Sequence, residues 1–259
     1  MSEVHEDEYD DAMVAMLELI WGEGFMSPGG PHSVRDIIDG VDLSGKLVLD
    51  IGCGLGGVDI MLARDYGCHI IALDIEAPLL ERARAEAEAA GVGERIDFRL
   101  VEPGPLTLDD ASVDVVFGKD AWTQIPNKRA LLGDIYRVLR PGGRLAAGDW
   151  CRGPDPFSTD MVYFFEVEGL TFNMETLDNY GALLGELGFV DTELTDLTAW
   201  YQAEARDEYE RIKGPLNARM REVLGDEKAE HFVENWRILC VVIDNGELRP
   251  GRLRASKPQ

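Results

Sequence analysis

Basic side chains are scarce in this chain. Its 259 residues carry 25 Lys and Arg against 49 Asp and Glu, a formal net charge of −24. Such a surface repels phosphate backbones and anionic lipid, which excludes nucleic acid and membrane as partners. Cysteine is sparse too. Cys53, Cys68, Cys151 and Cys240 lie far apart and form no CxxC pair, so neither a disulfide framework nor a metal site is expected. No apolar run approaches the roughly 18 residues of a membrane span. The N-terminus, MSEVHEDEYDD, is acidic and unlike a signal or transit peptide. A reduced, cytoplasmic protein is the simplest reading of these absences. Histidine is rare as well, and His32, His69 and His231 sit at a turn, a strand start and a late helix, where structural or exposed roles are commoner than catalysis.

What the chain does have is an apolar content of 45%, enough for a packed core in one large domain. EYDDAMVAMLELIW (8–21) has helical periodicity, and SVRDIIDGV reads as a second helix after the turn GEGFMSPGGP. Strands and helices then alternate. KLVLDIG (46–52), HIIALDI (69–75), IDFRLVE (96–102), VDVVFG (113–118) and RLAAGDW (144–150) read as strands. Alternation of this kind gives a parallel sheet covered by helices on both faces. DTELTDLT (191–198) and GRLRASK (251–257) add a sixth and a last strand, separated by helices at about 201–213 and 227–243. The expected fold is α/β, a Rossmann-like seven-stranded sheet in a single domain, 1–259. Residues 1–40 form an N-terminal helical lid, 41–150 the ligand-binding core, 151–188 a cap between strands five and six, and 189–259 the C-terminal strands and helices.

LVLDIGCGLGG (47–57) places Gly52, Gly54 and Gly56 at a strand-to-helix turn where a ligand can approach the backbone. A plain tight turn would also use glycine. Two acids sharpen the signal: Asp50 stands before the first glycine, and Asp74 ends the next strand, where a carboxylate can take two ribose hydroxyls. A dinucleotide site also places an acid there, but an anionic Asp50 beside a pyrophosphate is unfavourable. A cationic ligand suits it. S-adenosylmethionine is one, with a ribose, an ammonium group and no phosphate.

The DxGxGxG pattern, Asp74, Glu102 after strand three and RVLRPGG before strand five together resemble the class I S-adenosylmethionine-dependent methyltransferases over residues 40–150. The resemblance implies the seven-stranded methyltransferase sheet and S-adenosyl-L-methionine as cofactor. It implies Gly52 and Gly54 near the methionine tail, Asp74 on the ribose and Glu102 near the adenine, with Met26, Ser27, Asp50, Ile75, Pro103 and Lys119 in the same cofactor site.

A second resemblance covers nearly the whole chain. LELIWGEGFMSPGG, DAWTQIP, RVLRPGG, GDWC and GRLRASKP fall in step with the phosphoethanolamine N-methyltransferases, and the arrangement is similar to the sarcosine and dimethylglycine N-methyltransferases. In the former, a tyrosine of the N-terminal segment pairs with a histidine after strand four. Those positions fall on Tyr9 and Gln124, so the dyad is broken, whereas the aspartate of that segment is kept as Asp120. The resemblance implies Tyr9, Asp120 and Gln124 as the catalytic group, with Asp120 facing an acceptor amine.

The basic residues that would hold a phosphate are missing: none occurs from 153 to 205, and Arg237 is the nearest replacement. A dianion buried without cations is strongly penalised, so the expected acceptor is a small, non-phosphorylated amine. Trp122, Trp150, Phe164 and Phe165, with Arg237, are the candidate substrate contacts. Aromatic faces beside a carboxylate suit a cationic head group. Trp122, Phe164 and Phe165 fit core packing equally well, Asp120 fits a helix N-cap, and Glu166 and Glu168 fit a solvated face. Methyl transfer to sulfur, oxygen or carbon, transfer to phosphoethanolamine, and a non-catalytic cofactor-binding protein remain open.

Overall fold

Two helices, α1 (Asp11–Trp21) and α2 (Gly30–Ile38), precede the sheet. Then follow β1 (Leu47–Ile51), α3 (Gly57–Tyr66), β2 (His69–Asp74), α4 (Ala77–Ala89), β3 (Ile96–Leu100), β4 (Val113–Lys119), α5 (Lys128–Val138) and β5 (Leu139–Arg152). α6 (Thr159–Glu168) and α7 (Leu177–Glu186) lead to β6 (Val190–Asp196). α8 (Thr198–Lys213), α9 (Asn217–Leu224) and α10 (Asp226–Asp244) lead to β7 (Leu248–Ser256). The computed structural model describes residues 11–153 and 156–259. Among them, no helix is long and apolar enough to cross a membrane.

The seven strands lie in the order β3-β2-β1-β4-β5-β7-β6. β3 through β5 are parallel. Alternate side chains of each strand point to opposite faces. Val48, Ile70, Val115 and Ala146 share one buried cluster with Leu62 of α3 and Leu80 of α4. Leu49, Ile71, Val116 and Leu145 share another with Leu132 of α5 and Tyr180 of α7. Both faces are covered, so the central strands are apolar at nearly every position.

β7 departs from the parallel reading: it runs antiparallel between β5 and β6. The connection explains this. Asp196, ending β6, pairs with Gly251 in the first part of β7, and Leu197 N donates to Pro250 O at 2.8 Å. The three helices α8–α10 therefore leave β6 and re-enter the sheet at the same end of the strands, and the returning strand must reverse.

The segment read as a cap contains helices with different duties. α7 packs on β6 and α5, as a crossover helix of the sheet. α6 instead packs on α10. Together with α1, α8 and α9 they build a third apolar cluster that includes Met16, Phe164, Tyr201 and Trp236.

Trp122 corrects an expectation. It does not reach the substrate wall; it is fully buried in the cluster on the α5 and α7 face. Its indole Nε1 donates to Ile51 O at 3.2 Å. A Cβ on Gly118 would lie 2.3 Å from that Nε1, so the strand is bare where the ring lies against it. Gly118→Ala should cost about 1–3 kcal/mol through overpacking and lower Tm by several degrees. An unchanged Tm in a thermal melt would show that the indole is free to move aside.

Candidate functional site

α3 follows β1 onto one face of the sheet and α5 follows β4 onto the other. Adjacent strands whose connections diverge leave a crevice at their carboxyl ends. Two neighbouring cavities lie there.

The first is lined by Met26, Ser27, Asp50, Gly52, Gly54 and Lys119, among others. Gly52 has φ +87, and a Cβ there would meet the Ala121 Cβ at 2.3 Å. The turn thus requires glycine, and its backbone is bare. Asp74 braces it: Oδ2 accepts from Gly54 N at 2.7 Å and Oδ1 from Glu76 N at 3.0 Å. Each carboxylate oxygen retains a lone pair for a hydroxyl. Gly57 N donates to Gly24 O at 3.2 Å, which fixes the N-terminal segment over the turn. Ile75, Glu102 and Pro103 lie exposed just beyond β2 and β3 and are not part of the enclosed lining.

Asp50 is buried in this cavity, and its Oδ1 has no hydrogen-bond partner. Asp59, in the first turn of α3, is fully buried with neither carboxyl oxygen partnered. Burial pushes both carboxyls up, and the charge of Asp50 raises Asp59 further. The two carboxyls titrate as a pair, and burial together with their mutual repulsion favours one shared proton between them. An anion with a free, buried oxygen fits the ammonium of S-adenosylmethionine and opposes a phosphate. The glycine turn and Asp74 fit its tail and ribose. The residues present therefore suit that cofactor. The sequence reading missed Asp59; its one signal is an acid in the helix turn directly after the glycine loop.

Lys119 ends β4, buried. Its Nζ donates to Ser27 Oγ, to Pro28 O at 2.9 Å and to Asp120 Oδ2 at 2.8 Å. An ammonium has three N–H groups, and all three are engaged.

Asp120 belongs to the second cavity, which shares Met26 and Ser27 with the first. It is one of few non-glycine residues in the left-handed region, at φ +60, a conformation that costs energy and is held by its surroundings. Gln124, Trp150 and Phe164 line this cavity together with Trp21, Glu168, Tyr201, Asn235 and Trp236. Glu168 does not sit on a solvated face, because α6 packs against α10 and turns it inward. Phe165 stands behind the wall, its ring 5.3 Å from Phe157 and 5.2 Å from Phe172. Arg237 also departs from expectation. It is exposed, forked onto Glu234 by two bonds of 2.7 Å, while Asn235, Trp236 and Leu239 supply the α10 face of the cavity. Tyr9 lies outside the described residues.

Glu208 sits behind the aromatic wall, nearly inaccessible. It accepts from Trp21 Nε1 at 2.6 Å, Trp236 Nε1 at 3.0 Å and Tyr201 OH at 3.3 Å. The rings thereby spend their donors away from the cavity. The sequence shows α10 only as an apolar stripe, Phe232, Trp236, Leu239 and Ile243, and such a stripe reads as core.

A second buried carboxyl supports the loop that carries Gln124. Asp149 Oδ1 accepts from Thr123 N at 2.8 Å, and Oδ2 from Tyr180 OH at 2.6 Å. Asn173 N donates to Thr123 O at 2.7 Å, and Asn173 Nδ2 to Gln124 O at 3.1 Å. Burial pushes the Asp149 carboxyl up to about 7, against the opposing pull of the Tyr180 hydrogen bond.

With this geometry in place, comparison with known proteins adds the following. Residues 48–143 match the family described as Methyltransferase domain. A phosphoethanolamine N-methyltransferase of Triticum aestivum is 26% identical over 253 residues, covering 96% of this chain and 49% of that protein. A 27-O-demethylrifamycin SV methyltransferase of Amycolatopsis mediterranei is 32% identical over 218 residues, covering 79% of this chain and 80% of that one. Among solved structures, phosphoethanolamine N-methyltransferase 2 of Haemonchus contortus, bound to phosphomonomethylethanolamine and S-adenosylhomocysteine, shares the fold with a TM-score of 0.90 at 23% identity, over 98% of this chain and 59% of that one. The chain spans about half the length of the curated phosphoethanolamine relatives it matches.

Asp149 generates a test of the loop's support. The unfolded chain loses this proton near pH 4, the folded chain only at about 7. Across that window the folded state binds more protons, so this group's contribution to stability falls as pH rises. Asp149→Asn should therefore gain Tm relative to wild type between about pH 5 and pH 8, by on the order of a few degrees. A Tm difference independent of pH would show the carboxyl to be ionised throughout.

Proposed function

Since the chain belongs to the class I S-adenosylmethionine-dependent methyltransferases, we propose that it transfers the cofactor's methyl group to the nitrogen of a small amine that carries no phosphate. One observation carries this reading. Asp120 and Glu168 line the acceptor cavity, and no Lys, Arg or His does so among the described residues. The remaining residues, 1–10 and 154–155, contain no Lys or Arg. Lys119 is adjacent, but its three donors are engaged. A phosphate would enter this space without a cation, at a cost of several kcal/mol or more. An amine meets carboxylates and aromatic faces, which favour positive charge.

When bound, the cofactor supplies an electrophilic methyl carbon on a sulfonium. The protein's part is to hold a neutral amine in line with it. Lys119 anchors one oxygen of Asp120, which fixes the carboxylate at the cavity wall. There Asp120 can take the proton that an ammonium must lose before its lone pair attacks. Gln124, in the position of the missing histidine, orients the acceptor through its amide. Trp150 and Tyr201, in contact at 5.0 Å between ring centroids, shelter the charge that grows on nitrogen. Tyr9, outside the described residues, is proposed as lid and hydrogen-bond partner.

The relatives' names support a second reading, phosphoethanolamine as acceptor. It requires a cation from elsewhere; Arg237 would have to leave Glu234 and cross to the inner face of α10. Rates of S-adenosylhomocysteine formation decide between the two. The expected result is turnover of free amines, no turnover of phosphoethanolamine, and a loss of at least about tenfold in kcat for Asp120→Asn. Turnover of phosphoethanolamine alone would replace the first reading with the second.

A further inference from the structure

We propose that Glu168 and Asn235 form a second anchor in the acceptor cavity, which takes a hydrogen-bond donor at the far end of the acceptor, so that the acceptor is an amino alcohol or a diamine. This rests on the reading of the cavity as the amine site. Glu168 ends α6, and Asn235 lies on α10, 3% exposed. Both line the cavity that Asp120 lines. Asn235 Nδ2 donates to Glu168 Oε2. A carboxylate can only accept, so the amide must turn its nitrogen toward Glu168. Asn235 Oδ1 is then left buried, with no hydrogen-bond partner.

The pair therefore offers two oxygens, the Asn235 carbonyl and the Glu168 carboxylate, beside one amide N–H that the bond to Glu168 does not use. Glu168 lines the cavity and its carboxylate can accept from a ligand donor; the unsatisfied Asn235 carbonyl beside it is buried, and a small turn of the amide on ligand binding would let it share that donor and recover its cost. A hydroxyl or an ammonium supplies such a donor. The carboxylate of an amino acid such as sarcosine would instead meet the Glu168 carboxylate, and a phosphate would meet it with more charge. The neighbouring rings Trp21, Trp236 and Tyr201 do not compensate, because they direct their donors to Glu208. A site built to bond a substrate hydroxyl or ammonium strongly rejects the analogue that lacks it. The anchor thus separates amino alcohols and diamines from plain alkylamines and from amino acids.

The test compares kcat/KM for N-methylethanolamine (hydroxyl arm), 1,3-diaminopropane (ammonium arm), n-propylamine (no second group), sarcosine and phosphoethanolamine. At least one of the first two should exceed n-propylamine by tenfold or more, with sarcosine below n-propylamine. Glu168→Gln should shrink that ratio at least tenfold, through KM, with the Kd for S-adenosylhomocysteine unchanged. Asn235→Leu should shrink it in the same way and serves if Glu168→Gln folds poorly. Sarcosine equal to or better than the amino alcohol, or an unchanged ratio in both variants, overturns the anchor while leaving an amine acceptor in place. Turnover of phosphoethanolamine alone overturns the amine reading, and the anchor with it.

Discussion

Lys119 carries its charge at the end of β4, with only 4% of its side chain exposed. A buried ammonium is tolerated only when its donors are met. Here they are met by three acceptors from two different pieces of chain: Ser27 and Pro28 of the N-terminal segment, and Asp120 of the loop after β4. The consequence reaches both cavities. Ser27 lines each of them, so holding it positions the partition between cofactor and acceptor. Asp120 is held in a left-handed conformation that few non-glycine residues adopt and that aspartate tolerates better than most. The ion pair is therefore less a source of stability than a means of placing one carboxylate at one spot.

The loop that continues from Asp120 is held from below by the same logic. Thr123 N, Thr123 O and the Gln124 carbonyl all bond to side chains or backbone of elements distant in sequence. Lys128 Nζ adds bonds to Ile125 O and Asn173 O. Residues 121–125 make only one short 3₁₀ turn, Trp122–Gln124, too little to define a shape alone. The β5 and α7 side chains Asp149 and Tyr180 supply the missing constraints. A cavity wall made from a loop thus acquires the rigidity of the sheet beneath it.

This explains which features the sequence reveals. Alternating apolar strands and helices are local signals, and they foretell the sheet well. The glycine turn, Asp50 and Asp74 are legible because the chemistry they serve needs fixed spacing along one chain. Trp122 was not legible. Its direction depends on the reversal at Asp120 and on the bare strand at Gly118, and a pattern of apolar letters carries neither. Glu168 and Arg237 fail for a related reason: which face of α6 or α10 meets the cavity is decided by how those two helices pack on each other. β7 reverses because three helices return the chain to the same end of the sheet, which helix and strand propensities do not encode.

Charge selection in the acceptor cavity then follows from two separate features rather than from a single missing lysine. The first is the lining, with carboxylates and no cation among the described residues. The second is Glu208, placed behind the rings. An indole N–H or a phenol O–H facing a cavity can hold an anion without any formal positive charge. Glu208 draws three such donors to itself, and burial raises its carboxyl while those same bonds oppose the shift. What the ligand meets is ring face, whose quadrupole attracts cations. Adding one lysine to the lining would therefore not by itself create a phosphate site, since the surrounding donors would still point the wrong way. A lining without basic side chains and a sink for the aromatic donors each favour positive charge in a cavity, and in this chain the two occur together among the described residues.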